Sequence, residues 1–166
     1  MGSIWKARNI SLKTKVRLFN SNVKPILLFG AETWKTTKSL LHKPQVFINN
    51  CLRRILNIRW PKKVSNKEFW QKTNQPPVEE ELKRRKWRWI GHTLRKPRHN
   101  ITRQTLRWNP QWKRGTGRPR NTRRRDFIAE MEIECYRWQD LECMAQNRKR
   151  WRTVVSGLCT TKVQQA

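Results

Sequence analysis

Apolar residues recur at helical spacing along most of this chain. From Leu12 to Phe29 they fall at Leu12, Val16, Phe19, Val23, Ile26 and Leu27, steps of four and three that lay one stripe along a helix. Pro25 should bend or interrupt that helix, and Gly30 is placed to stop it. A second stripe runs through Leu40, Leu41, Phe47, Ile48, Cys51, Leu52, Ile55 and Leu56. Pro44 suits a first turn better than a helix interior, so the regular part of this helix is expected to begin near it. "RWPKK", Arg59 to Lys63, breaks the chain, and Ser65 can cap a short helix through Glu68 and Trp70.

The clearest helix signal is "NQPPVEEELKRRKWRWIGHTLRK". Pro77 fits the first turn, Glu79, Glu80 and Glu81 sit at the positive end of the dipole, and bases fill the far end. Leu82, Trp89, Ile90 and Leu94 form one face, and Trp87 falls off it. Pro97 ends the helix. Beyond it "ITRQTLRW" reads as a short strand or extended arm, and "NPQWKRGTGRPRNTRRR" as loop or linker. Asp126 opens a helix with Phe127, Ile128, Met131 and Ile133 or Cys135 inside it. A last helix carries Trp138, Leu141, Met144 or Ala145, Trp151, Val154, Val155 and Leu158, with Gly157 near its end. The expectation is a mainly α fold in four stretches. These are a helical region over 1–75, a basic amphipathic helix over 76–97, a basic linker or arm over 98–125, and a helical hairpin over 126–166.

Charge changes this picture most. The net charge is +28 on 166 residues, and repulsion on that scale disfavours compaction unless a polyanion neutralises it. Between Leu82 and Arg125 there is no Asp or Glu, against seventeen Lys or Arg. Solvation does not call for removing every acid, so RNA or DNA is the expected partner. Trp is interleaved with base at Lys86-Trp87-Arg88-Trp89 and Arg107-Trp108, a pattern that fits phosphate contact plus base stacking. The alternative is that Trp89 and Trp108 anchor a core.

Gly117-Arg118-Pro119-Arg120 resembles the centre of an AT-hook. Gly allows close approach, Pro fixes an extended path, and two Arg point along a narrow groove. Thr116 stands where such arms carry a flanking Arg, which favours plain phosphate neutralisation by a flexible linker.

Other chemistry is weakly represented. No apolar run approaches the roughly 18 residues of a membrane span. Nothing near Met1 resembles a secretory segment, so a nuclear or cytoplasmic ribonucleoprotein setting is expected, with Cys51, Cys135, Cys143 and Cys159 as reduced thiols. His92 and the scattered Cys lack zinc-ligand spacing, so no metal or cofactor is expected. Asp126 and Asp140 are the only Asp and lie far apart, so the adjacent carboxylates of a two-metal centre are missing. An independent enzyme is not expected.

Three blocks carry a family resemblance: "VKPILLFGAETW" with the helix ending "CLRRILNIRW", then "RRKWRWIGHTLRK" and "GRPRNTRRRD", then "RWQDLECMAQNRKRWRTVV". In this order they resemble the C-terminal part of the endonuclease and reverse transcriptase protein of non-long-terminal-repeat retrotransposons, near the RTE clade. The resemblance runs from about Leu12 to Leu158. It implies a thumb-like helical bundle in the first half, following a polymerase palm that this chain lacks, and a basic tail in the second half. On that reading Lys83, Arg84, Arg85, Lys86, Arg88 and Arg95 contact phosphate, Trp87 stacks or packs, and Arg118, Arg120, Arg123, Arg124 and Arg125 hold a groove or backbone. The alternative is a degenerate retroelement fragment that binds polyanions non-specifically.

Overall fold

A computed structural model describes the chain except residues 1, 35, 60, 109–122 and 161–166. Among the described residues every regular element is helical. The elements are α1 (Gly2–Lys6), α2 (Leu12–Leu18), a π-helical turn (Phe19–Val23), α3 (Lys24–Leu27), a 3-10 turn (Ala31–Thr33), α4 (Lys38–Ile55), α5 (Asn66–Thr73), α6 (Val78–Leu94), α7 (Ile101–Arg107), α8 (Arg123–Ile133), α9 (Trp138–Gln146) and α10 (Arg148–Thr160). They group into two compact units, Met1–Gly30 with Thr37–Glu81, and Ala31–Thr36 with Leu82–Ala166.

In the first unit the helix that begins at Leu12 does not stop at Pro25. Proline has no N–H and its ring crowds the preceding turn, and the chain widens into the π-helical turn just before it. Gly30 then ends the segment at φ +64°, a left-handed conformation that costs glycine little. The second stripe starts earlier than expected. Thr37 Oγ1 accepts from Leu40 N–H, so α4 begins at Lys38 and Pro44 lies inside it, buried. One missing internal bond is tolerated because the same helix buries Ile48, Cys51, Leu52 and Ile55. Ser65 caps α5 as expected, accepting from Glu68 N–H at 3.3 Å, with the Glu68 carboxylate 3.0 Å from its hydroxyl. Asn74 closes α5 in the left-handed region, and Val78 N–H, at the start of α6, donates to Gln45 Oε1 at 2.8 Å. Phe19, Leu28, Phe69 and Val78 join the buried apolar residues of this unit.

The second unit departs further from expectation. Ile101–Arg107, anticipated as a strand or extended arm, is a helix capped by Asn100, whose side chain accepts from Thr102 N–H. The cap and buried Leu106 outweigh a short and weakly periodic sequence. Helix α8 begins at Arg123, so Asp126 lies in its first turn, where its carboxylate accepts from the backbone and hydroxyl of Thr36 at 3.1 and 3.2 Å. Phe127 and Met131 are buried, but Ile128 and Ile133 are exposed, since they lie one and two positions beyond Phe127 and Met131, off the face that positions three and four apart share. Cys135 is also exposed, at φ +55°. The last helix is two helices. Asn147 interrupts it, and its Oδ1 accepts from Lys149 and Arg150 N–H at 3.0 and 3.2 Å, capping α10.

Candidate nucleic-acid interface

Helix α6 contributes Leu82 to Leu94 to the second unit, and this stretch decides which bases stay available. Its buried positions are Leu82, Lys86, Trp87, Ile90, Gly91, Thr93 and Leu94. At about 100° per residue they cover roughly half the helix circumference, an arc turned toward Trp87 relative to the expected Leu82, Trp89, Ile90 and Leu94 face. Trp87 is fully buried, with ring centres 5.4 Å from Phe127, 6.0 Å from Trp151 and 6.4 Å from Tyr136. Of its two anticipated roles, packing is the one it performs. Trp89 packs partly buried against the same cluster.

Two of the anticipated phosphate contacts are held by internal carboxylates. Lys86 has a side chain only 4% exposed, and its Nζ lies 2.8 Å from Glu130 Oε1. The other oxygen of Glu130 accepts from Trp87 Nε1 at 2.9 Å. Lys83 pairs with Glu134 at 2.8 Å. A buried ammonium needs such a partner to offset the loss of water. The buried network was hidden in sequence because Glu130 and Glu134 lie more than forty residues from their lysines.

The remaining anticipated residues are distributed differently. Arg84 and Arg85 are half-buried, whereas Arg88, Arg124 and Arg125 are exposed. Arg123 opens α8, with its side chain outside the described residues, and Arg118 and Arg120 also lie outside them. Arg95 is half-buried and donates to the Ala145 carbonyl at 3.0 Å, in the last turn of α9. Burial lowers its guanidinium pKa, and the neighbouring Arg148 charge lowers it further.

That proximity follows from how α10 meets α6. Trp151 Nε1 donates to the Trp87 carbonyl at 3.1 Å, and its indole occupies the space a Cβ at Gly91 would need. The glycine therefore allows close approach of the two helices. Around buried Trp151, Arg148, Lys149, Arg150 and Arg152 are all exposed. Arg148 and Arg152 are one turn apart, as are Arg88 and His92, with Arg95 almost a turn further. The sequence carries no acid after Glu142, so α10 is wholly without one. Among the described residues, Arg88, Arg148, Lys149, Arg150 and Arg152 make no ion pair. The α10 cluster was not among the anticipated site residues. Its signal was the run "NRKRWR" in an acid-free tail.

The arrangement suits electrostatic binding of an anionic polymer. Among the described residues no group of three His, Cys, Asp or Glu could hold a metal ion. No described helix is long and apolar enough to cross a membrane.

Residues 2–29 match the model of a domain of unknown function, DUF6451. The chain is also 31% identical over 113 residues to an uncharacterised transposon-derived protein of Caenorhabditis elegans, an alignment covering 64% of this chain and 40% of that protein. It thus spans less than half the length of this relative. The similarity is to a transposon-derived protein. No solved structure matches the chain.

Proposed function

We propose that this chain is a nucleic-acid-binding C-terminal portion of a retrotransposon reverse transcriptase of the RTE-like group, with no catalytic centre of its own. The observation that carries the binding is a partition of cations in the second unit. Among the described residues, Lys83, Lys86, Arg103 and Arg107 face internal carboxylates, whereas Arg88, Arg148, Lys149, Arg150 and Arg152 on α6 and α10 do not. The latter set meets phosphates, releasing counterions without reading base sequence. The transposon-derived relative and the resemblance of "VKPILLFGAETW" and "RRKWRWIGHTLRK" to reverse-transcriptase tails support the retroelement origin. In the full protein an upstream palm would supply polymerisation, and this part would hold RNA or target DNA in the nucleus or in a cytoplasmic ribonucleoprotein.

An anisotropy titration tests the reading. Affinity of the wild type for mixed-sequence RNA should fall by roughly a thousandfold between 50 and 200 mM salt. Replacing Arg88, Arg148 and Arg152 together by Ala should lower the salt slope by about two units. A flat salt response in the wild type, or an unchanged slope in the triple variant, refutes the assignment.

A further inference from the structure

Ten Trp in one chain do not all serve the same end, and the second unit separates them. Trp87 and Trp151 are buried, and Trp89 and Trp138 pack half-buried against the same cluster. Trp108 is different: it is 63% exposed. Its backbone is nevertheless anchored. Helix α7 ends on Trp108, whose N–H donates to the Gln104 carbonyl at 2.9 Å. The chain leaves the helix there in extended geometry, φ −62° and ψ 133°.

The helix that leads to this ring is basic, with Arg103 and Arg107 and no acid. Arg107 donates to Glu142 at 2.7 Å and lies 5.1 Å from the Trp138 ring centre, and Arg103 reaches the same carboxylate oxygen at 3.4 Å. One acid therefore carries two guanidinium groups, so α7 and its carboxylate partner together keep a net positive charge. Further along the sequence the next acid is Asp126. An exposed flat ring at the end of a basic helix is a surface on which an unpaired base stacks, each such base contributing affinity without sequence preference. A duplex keeps its base faces inside its own stack and presents phosphate and groove edges instead.

We propose that Trp108 is a base-stacking platform, so that the second unit takes single-stranded nucleic acid, or an unpaired end, in preference to duplex. This rests on the nucleic-acid reading above and adds a ligand class that charge alone does not select. Ile101 is seven residues earlier on α7 and 76% exposed. The competing occupant of this face is a protein surface covering Ile101 and Trp108 together.

The test uses the full chain, with Trp108→Ala and Trp108→Phe compared on a thymine homopolymer and on a duplex of equal length at one low salt concentration. Trp108 is exposed, so both variants should keep the wild-type circular dichroism and melting transition. Trp108→Ala should weaken single-strand binding by roughly tenfold and duplex binding by less than about twofold, and Trp108→Phe should retain most of the affinity. Ile101→Ser should bind the single strand like the wild type. Equal losses on both ligands, or no loss, overturn the stacking assignment while leaving salt-dependent nucleic-acid binding intact. A change of oligomeric state in both Ile101→Ser and Trp108→Ala, with single-strand affinity unaltered, overturns it in favour of a protein interface. A wild type that binds neither ligand removes both this proposal and the reading beneath it.

Discussion

Among the described residues each unit buries one lysine, and they do it differently. In the first, Lys24 donates to the neutral Gln75 amide oxygen at 3.2 Å, with the Glu81 carboxylate 3.7 Å away. In the second, Lys86 meets Glu130 directly at 2.8 Å, and the same carboxylate accepts from the indole of Trp87 at the centre of the core. A direct bond between two ionised groups in a dry setting is the stronger arrangement, but removing one member strands the other. The comparison teaches that high net charge does not make every base a ligand contact. Some bases are part of the packing, and only the structure separates them from the rest.

The largest expected effect probes this difference. Glu130→Ala should cost about 3–5 kcal/mol in urea unfolding, because it leaves a buried ammonium and an indole N–H without their partner. Glu81→Ala should cost only about 1 kcal/mol, since Gln75 still accepts from Lys24. Equal losses would break the contrast between the two lysines.

Two glycines sharpen the contrast at intermediate size. Gly91 needs its missing side chain for space, and Gly30 needs it for conformation. Gly91→Ala should cost about 1–3 kcal/mol by driving Trp151 off α6, and should weaken RNA binding as Arg148 and Arg152 shift. Gly30→Ala should cost about 1–2 kcal/mol through its left-handed backbone alone, with binding unchanged in the same titration. A Gly91→Ala protein with wild-type stability would mean that α10 does not approach α6 this closely.

The smallest effect is one of reactivity. Cys51 lies in the core of the first unit, where burial raises its thiol pKa and nearby Arg54 offsets this only partly. A raised pKa leaves less thiolate at neutral pH, and thiolate is the reacting form. Iodoacetamide should therefore label exposed Cys135 and Cys143 of the native protein first, and Cys51 only on unfolding. Rapid native labelling of Cys51, mapped by peptide mass, would show that the first core opens readily in the native protein.

Much of this was legible in the residues themselves. Periodicity determined that the chain is helical, Ser65 marked a cap, Gly30 marked a stop, and the acid-free run from Leu82 to Arg125 marked a concentration of positive charge. These are local properties, set by spacing of three and four, by side chains that reach their own backbone, and by the formal charges of neighbours. Tertiary structure decided what depends on partners distant in sequence. It turned α6 so that Trp87 faces inward, assigned Lys83 and Lys86 to Glu134 and Glu130, and let Gly91 admit Trp151. It also left Trp108 in solvent and brought α10, with Arg148 and Arg152, against α6. The physical reason is that burial and charge pairing belong to the space between helices, whereas a sequence pattern specifies each helix alone.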